Sequence, residues 1–231
     1  MESSILRLAL AEFLGTFLLV FAGPGAVVID AVSQGGVTPV GIGLSFGFAV
    51  MAAIVVFGPV SGAHINPAVS LAFAVSHVLE WRLLPLYAAS QLAGAATASA
   101  THLALFGDVA SLGATLPAGS AGQALALEAV LSFFLGLVVL SVARDGRIEP
   151  RLAALSVGMY VALAATFAGP IAGASMNPAR SFGPSLLSWE WQDHWVYWLG
   201  PVGGAVLAAG AFAVLRPRAL AVTDEVGERL P

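Results

Sequence analysis

A thirteen-residue segment occurs twice in this chain. The first copy, GPVSGAHINPAVS at Gly58–Ser70, returns as GPIAGASMNPARS at Gly169–Ser181, and eight of the paired positions are identical. Both copies centre on Asn-Pro-Ala and lie between long apolar runs. Asn is a favoured helix N-cap, and Pro is favoured at the first helical position. Each copy is therefore predicted to start a half-helix that begins inside a membrane.

The apolar runs around these copies have the length of membrane-spanning helices. Hydrophobic residues make up 58% of the chain and charged residues 10%, with a mean hydropathy of +0.91, which lies far outside the range of a soluble domain. A spanning helix needs about 20 mostly apolar residues, and open sheet edges cannot exist in hydrocarbon. The sequence thus predicts an all-α membrane protein. Six runs are expected to span, at Ile5–Ile29, Val37–Phe57, Leu83–Phe106, Ala121–Val142, Leu152–Phe167 and His194–Leu215.

All nine basic residues are arginine, and their positions predict the orientation of the chain. By the positive-inside rule the clusters face the cytoplasm, so both termini are expected inside the cell, at the inner membrane, with an even number of crossings. We expect residues 1–220 to form one channel domain and residues 221–231 a polar cytoplasmic tail. The basic clusters comprise Arg7, Arg82, Arg144–Arg151 and Arg216–Arg229, and an aromatic belt for the outer interface comprises Trp189, Trp191, Trp195, Tyr197 and Trp198.

The repeat extends over both halves of the chain, about residues 5–107 and 121–215. AEFLGTFLLVF at Ala11–Phe21 resembles LEAVLSFFLGL at Leu127–Leu137, which aligns Glu12 with Glu128. Each half holds three spans, an odd number, so the second half must start on the opposite side of the membrane. Inverted repeats with discontinuous helices build a site near the midplane. The two Asn-Pro-Ala copies should meet there: Asn66, Pro67 and Ala68 with Asn177, Pro178 and Ala179.

The paired asparagines can donate hydrogen bonds to a single water molecule between them. Each side chain caps its half-helix and still offers N–H donors, so a water between Asn66 and Asn177 finds donors on both sides. Two facing helix N-termini add positive potential, which opposes cations and a continuous proton wire. The backbone of Gly58–Ile65 is expected to be non-helical, with water along it. Carbonyl groups of both loops are expected to accept hydrogen bonds from water, at Gly62, Ala63, His64, Ile65, Gly173, Ala174, Ser175 and Met176.

Three ionisable side chains at membrane depth need an explanation. Arg180 follows the second Asn by three residues, where Val69 stands in the first copy, and an intramembrane arginine is by default a pore-lining residue. Glu12 and Glu128 lie inside spans, where an ionised carboxylate must find donors or be neutral, and a proton relay is one reading. His64 could line the pathway or respond to pH.

SGAHINPAV and GASMNPARSFGP together resemble the signature of the aquaporin, or major intrinsic protein, family, and the resemblance covers nearly the whole chain. It implies a right-handed bundle of six transmembrane helices and two re-entrant half-helices, assembled as a homotetramer with one pore per subunit. It also implies that Glu12 and Glu128 accept hydrogen bonds from the backbone of the re-entrant loops. Transferred from the family, the selectivity filter comprises Phe46, Ala165, Ala174 and Arg180.

The filter residues and the flanking sequence point to different permeants. Orthodox water channels of the family often carry histidine at the position of Ala165, and frequently a polar residue or cysteine at Ala174. Two alanines imply a wider, more apolar filter that could pass glycerol, ammonia or metalloid hydroxides such as arsenite or boric acid. Phe17–Val28 also resembles the nodulin-like plant intrinsic proteins, whose members take metalloids. In contrast, Ser181 and Tyr197-Trp198 resemble water channels.

The sequence therefore predicts a passive channel for water, in a lipid bilayer, that excludes protons and ions. The alternative is a facilitator of small neutral solutes. A coupled secondary transporter shares inverted repeats with broken helices, but no cluster of oxygen ligands indicates a sodium site. No nucleophile–base pair or metal-ligand spacing indicates an enzyme, and no cofactor or metal is expected. The chain has no cysteine and no basic stripe for nucleic acid.

Overall fold

A computed structural model describes residues 2–144 and 149–215 of the chain. Six long helices and two short ones follow one another in an order that repeats: long, long, short, long. This order confirms the predicted all-α fold of six spans plus two half-helices. The predictions for Arg147, for Arg216–Arg229 and for the tail at 221–231 lie outside the described residues. The helices are α1 (Glu2–Val32), α2 (Thr38–Ser61), α3 (Pro67–Val75), α4 (Leu84–Phe106), α5 (Ala121–Arg144), α6 (Pro150–Ala172), α7 (Pro178–Ser188) and α8 (Val196–Leu215).

Five of the six long helices are long and apolar enough to cross a membrane: α1, α2, α5, α6 and α8. Helix α4 has a similar length, 23 residues, but is more polar. Its polar side chains Gln91, Ser99 and His102 are buried inside the protein. Because these groups face other helices, α4 can still present apolar side chains such as Leu103 and Leu105 outward.

The two halves pack in matching ways and share their half-helices. Helix α1 packs on α2 and α4, and α5 packs on α6 and α8, while α2 and α6 join the halves. The half-helix α3 packs on α8, and α7 packs on α4. Each half-helix thus rests against a long helix of the other half. Glycines allow the close contacts: a Cβ at Gly94 would lie 2.3 Å from the Phe13 carbonyl oxygen, and one at Gly204 would lie 2.2 Å from that of Ala129.

The ends of α2 and α6 differ from the prediction. The expected non-helical segment Gly58–Ile65 was wrong for its first four residues, which belong to α2. Pro59 has no N–H to donate to the Val55 carbonyl, and the helix continues for only two residues beyond it. The helix ends at Gly62 in the left-handed conformation, with its N–H donating to the Gly58 carbonyl at 2.9 Å. Gly173 ends α6 in the same way, by donating to Gly169.

Candidate functional site

Each repeated Asn caps a half-helix. Asn66 and Asn177 have extended backbones, with φ of −159° and −153°, and a proline follows each at the first helical position. The Asn66 Oδ1 accepts from the N–H of Ala68 at 2.8 Å, and the Asn177 Oδ1 accepts from that of Ala179 at 3.0 Å. The caps satisfy the first free N–H groups of α3 and α7, so both side chains are fixed with their amide nitrogens directed away from the helices.

Each of the two asparagines donates a hydrogen bond to the residue that precedes the other. Asn66 donates from Nδ2 to the Met176 carbonyl at 2.7 Å, and Asn177 donates from Nδ2 to the Ile65 carbonyl at 2.8 Å. Each bond links one half of the chain to the loop of the other half. An amide nitrogen carries two N–H groups, and this contact uses one of them. Within residues 2–144 and 149–215 neither nitrogen has a second acceptor, so the second N–H of each asparagine can donate to a molecule between the loops.

In each loop, residues with a left-handed backbone conformation flank one residue that does not have it. Ala63 and Ile65 have φ of 47°, while His64 between them is not in the left-handed region. In the second loop, Ala174 has φ of 42° and Met176 has φ of 52°. This alternation directs successive N–H groups to one side and leaves the carbonyls facing the other way, which makes a concave anion site of the N–H side. The sequence gives no local sign of it, because neither alanine nor isoleucine favours positive φ.

A buried carboxylate occupies the N–H side of the first loop. Glu12 accepts from the N–H of His64 at 2.9 Å and of Ile65 at 2.7 Å, one on each oxygen. Two side chains add further donors: the Ser61 hydroxyl at 2.6 Å and the Gln91 amide at 2.8 Å. Glu12 is fully buried, so these four hydrogen bonds replace its hydration.

Glu128 occupies the same place behind the second loop, with fewer partners. It accepts from the N–H of Ser175 and of Met176, each at 2.7 Å. No side-chain donor to Glu128 occurs within residues 2–144 and 149–215. The loop is stiffened instead by hydroxyl groups: Thr115 donates to the Ser181 Oγ at 2.8 Å, and the Ser175 and Ser181 hydroxyls are 2.6 Å apart. Because Ser175 donates to the Asn177 carbonyl, its partner Ser181 is the donor between the two.

A cavity of about 290 Å³ is lined by residues of both loops, and neither Glu12 nor Glu128 is part of its wall, which places the carboxylates on the other side of the loops. Its wall includes Asn66 and Asn177, the whole predicted first carbonyl set from Gly62 to Ile65, and Ala174, Ser175 and Met176 of the second. Gly173 is not part of the wall. The remaining lining is apolar on most sides, with valines and leucines of α1, α2, α5 and α6. The cavity thus has a mostly apolar wall and a narrow row of polar groups from the two loops.

Three of the four expected filter residues line this cavity: Phe46, Ala174 and Arg180. The fourth, Ala165, is buried in the core but is not part of the wall. The Arg180 guanidinium donates from Nη1 to the Gly113 carbonyl at 2.7 Å and lies 5.0 Å above the Phe46 ring. A carbonyl and an aromatic face both stabilise a cation, so Arg180 can stay charged on the cavity wall.

The carbonyl partner of Arg180 was not found from the sequence. Gly113 lies in a tight turn, Ala110–Gly113, in which Ala110, Ser111, Leu112 and Gly113 all have positive φ. Leu112 is fully buried and anchors this turn in the protein. No motif marks the turn, because its contacts are with residues far away in the chain. Gln91 and Ser61 were also missed, although a glutamine inside an apolar run was a usable signal.

His64 is packed rather than exposed. Its Nδ1 lies 3.0 Å from the Ser70 hydroxyl, which also accepts from Gln91 Nε2 at 3.0 Å. The rings of Phe73 and Tyr87 lie 4.5 and 4.8 Å from the His64 ring, centroid to centroid. His64 still lines the cavity. In the predicted aromatic belt, Trp189, Trp191 and Trp195 are exposed, whereas Tyr197 is fully buried between α5 and α6, so its assignment to the belt was wrong.

Comparisons with known proteins agree on one family. The family described as Major intrinsic protein matches residues 1–212. Aquaporin NIP1-3 of Oryza sativa subsp. japonica is 49% identical over 208 residues, which is 90% of this chain and 73% of that protein. Aquaporin NIP1-1 of Zea mays is 47% identical over 208 residues, 90% of this chain and 74% of that protein. The X-ray structure of the aquaglyceroporin from Plasmodium falciparum superposes with a TM-score of 0.84 at 26% identity, covering 91% of this chain and 96% of that one.

Proposed function

Since the chain belongs to the major intrinsic protein, or aquaporin, family, we propose that it conducts water passively along osmotic gradients and excludes protons and ions. The observation that carries this proposal is the pair of capping asparagines on one cavity wall, each with an N–H left over. Water arriving from either side meets acceptor carbonyls, then two donors at the centre. A water oxygen that accepts from both asparagines must turn its own hydrogens outward, which interrupts a proton wire.

The remaining site residues take roles around this centre. Carbonyls of Gly62–Ile65 and Ala174–Met176, all on the cavity wall, accept from water, with those of Ile65 and Met176 already sharing one lone pair with an asparagine. Gly173 lies outside the wall, so its expected carbonyl role is not part of this proposal. Phe46, Ala174 and Arg180 line the cavity and are expected to form its narrowest part, and Ala165 belongs to the core cluster that holds Phe46 and Ala174. Glu12 and Glu128 support the loops rather than relay protons, because every hydrogen bond they make is to the loop or to its packing neighbours.

A second candidate, a facilitator of small neutral solutes, is favoured by the two alanines of the filter. Alanine at 165 and 174 leaves Arg180 and Phe46 as its only large members. The solved relative from Plasmodium falciparum is itself described as an aquaglyceroporin. Glycerol, ammonia or metalloid hydroxides would accept hydrogen bonds from Arg180 and donate to the loop carbonyls. The less polar side of each solute, such as the carbon atoms of glycerol, would then lie against Phe46 and the alanines.

One experiment separates these functions. Purified protein in liposomes is mixed in a stopped-flow instrument with an impermeant osmolyte, then with glycerol or boric acid, while light scattering follows vesicle volume. The first proposal expects water flow well above that of empty liposomes, unchanged by sodium or pH gradients, without proton influx. Solute uptake above the empty-liposome rate would establish the second. Flow that depends on an ion gradient would instead identify a coupled transporter.

The assembly and placement of the channel belong to the same proposal. We expect a homotetramer in the inner membrane with both termini in the cytoplasm, and residues 1–220 as one channel domain. The apolar outer faces of the long helices, with Leu6, Phe48, Val55 and Leu207 exposed, suit lipid or subunit contact. Light scattering of the detergent-solubilised protein gives the subunit number.

A further inference from the structure

A segment of α1 with the sequence FAGPG, Phe21–Gly25, packs against Phe46 of the expected filter at Gly23 and against the Arg180-binding turn at Pro24. A Cβ added at Gly23 would lie 2.2 Å from the Phe46 ring, so the ring rests directly on the backbone of this segment. A Cβ added at Gly113 would lie 2.9 Å from the Pro24 carbonyl oxygen, so the Arg180-binding turn also rests on it. We call Phe21–Gly25 the filter platform.

The filter platform therefore supports both large members of the filter. Phe46 contacts it directly, and Arg180 reaches it through the Gly113 carbonyl, 2.7 Å from Nη1. The two side chains also contact each other across 5.0 Å. Since both line the cavity, a movement of the platform changes the distance between the aromatic wall and the charge.

Helix α1 is less rigid at the filter platform than elsewhere, because Pro24 lies inside the helix. Proline has no N–H for the Val20 carbonyl, and its ring pushes the preceding turn apart. A proline in such a position allows a helix to bend. A contact from another helix is then needed to hold α1 at one angle at Pro24, if the filter is to keep one width.

His102 of α4 provides that contact. Its Nε2 lies 2.9 Å from the Phe21 carbonyl oxygen, and since a carbonyl only accepts, Nε2 carries the proton. The imidazole stacks on the Phe21 ring at 5.4 Å and is 1% exposed. Gly25 makes room for it, because a Cβ there would lie 2.9 Å from Nε2. The histidine is thus tied to the carbonyl three residues before the proline.

We propose that the filter platform, held by His102, sets the width of the filter and so the solutes that pass. The inference rests on the proposed channel function, and it makes Gly23, Gly25 and His102 positioning residues that touch no permeant. Their effect is expected on the ratio of solute to water permeability more than on the amount of folded protein.

The first test adds a methyl group under the Phe46 ring. In Gly23→Ala the ring must move away from α1, and the free direction is toward Arg180 and the cavity. The filter becomes narrower, so the glycerol-to-water permeability ratio in liposomes falls about tenfold, or water permeability itself falls if the wild type excludes glycerol. Matched controls are Gly203→Ala and Gly210→Ala in α8, where an added Cβ meets nothing within 4 Å.

The second test removes the His102 hydrogen bond. His102→Leu keeps an apolar body of similar size but no donor, so the bend in α1 relaxes and the glycerol-to-water ratio rises about fivefold or more. His102→Gln carries an amide N–H close to the Nε2 position and should restore the ratio to within about twofold of the wild type. A role in folding alone predicts lower yield for both variants with an unchanged ratio.

The outcomes separate this inference from the proposed function. If the wild type conducts and the ratio stays constant in Gly23→Ala, Gly25→Ala and His102→Leu, the filter platform has no role in selectivity although the channel function stands. If the wild type moves neither water nor solute faster than empty liposomes, both proposals fail. Opposite shifts in Gly23→Ala and His102→Leu, with the α8 controls unchanged, would establish the platform.

Discussion

Arg180 and Val69 occupy the same place in the two copies of the repeat, and the difference between them is one full charge. Within residues 2–144 and 149–215, Arg180 forms no ion pair, and its Nε has no hydrogen-bond partner. Its nearest partners are the Gly113 carbonyl and the Phe46 ring, and the buried Glu128 carboxylate adds a longer-range attraction. Because Arg180 also lines the cavity, its positive charge acts on ions there.

The substitution Arg180→Val places valine at this position in both copies of the repeat, and it tests whether the positive charge of Arg180 excludes ions. Two charges 4 Å apart repel by about 4 kcal/mol at an effective dielectric constant near 20. Removing the arginine should raise proton or potassium leakage by about tenfold or more, while water still passes. A pH-sensitive dye inside liposomes measures the leak under an imposed gradient.

Arg82→Ala is the matched control for Arg180→Val, because it also removes one positive charge, from an exposed ion pair with Glu80. Leakage should stay at the wild-type level there. An Arg180→Val channel that is as tight to protons as the wild type would assign ion exclusion to the asparagine pair alone.

Ala165 tests the size of the filter at the position that the cavity does not reach. The side chain is buried in the same core cluster as Phe46 and Ala174. In Ala165→His a larger polar ring replaces a methyl group in this cluster, so if the ring extends into the filter, glycerol permeability should fall about tenfold while water permeability falls less. Stopped-flow measurement of both fluxes gives the ratio. An equal fall in the two fluxes would indicate overpacking of the core instead of a narrower filter.

At the scale of elements, the two carboxylates hold the loops with different strength. Glu12 accepts four hydrogen bonds, and Glu128 accepts two. In Glu12→Gln the new NH₂ group faces two donors, and in Glu128→Gln it faces one. A buried donor without a partner costs about 1–3 kcal/mol.

We therefore expect Glu12→Gln to lower the Tm by about 5–10 °C, and Glu128→Gln by about half as much. Thermal unfolding in detergent, followed by tryptophan fluorescence, measures both. Glu80→Gln is the control, since its exposed ion pair contributes little. Equal Tm losses in the two buried variants would contradict the unequal support.

The elements show which features could be predicted from the sequence. The half-helices follow from Asn-Pro, because one residue supplies the cap and the next suits the first turn. The ends of α2 and α6 were misjudged because Gly58-Pro59 reads as a turn, whereas Gly62 alone stops the helix. The support of Arg180 by Gly113 was not predictable, because it depends on where a left-handed turn at 110–113 packs against α1.

At the scale of the whole molecule, the half-helices join the two halves into one structure. Each packs on a long helix of the other half, and each capping asparagine donates to the other half's loop. A channel formed in this way has an odd number of crossings in each half. The connections at 33–37 and 189–195 should therefore lie on one side of the membrane, and the connection at 76–83 on the other.

The chain contains no cysteine, so single cysteines can test this orientation without a further change. Gln34→Cys and Trp189→Cys are expected to react with a membrane-impermeant maleimide on intact cells, because both positions are exposed and are predicted to lie on the side opposite Arg82. Trp81→Cys, also exposed, should react only after the membrane is opened. By the positive-inside rule, the arginines near Trp81 and at the end of α5 predict this direction. Reaction of Trp81→Cys on intact cells together with protection of Trp189→Cys would reverse the orientation and place Arg180 toward the cytoplasm. Labelling of Gln34→Cys and Trp189→Cys from different sides would contradict the inverted repeat itself.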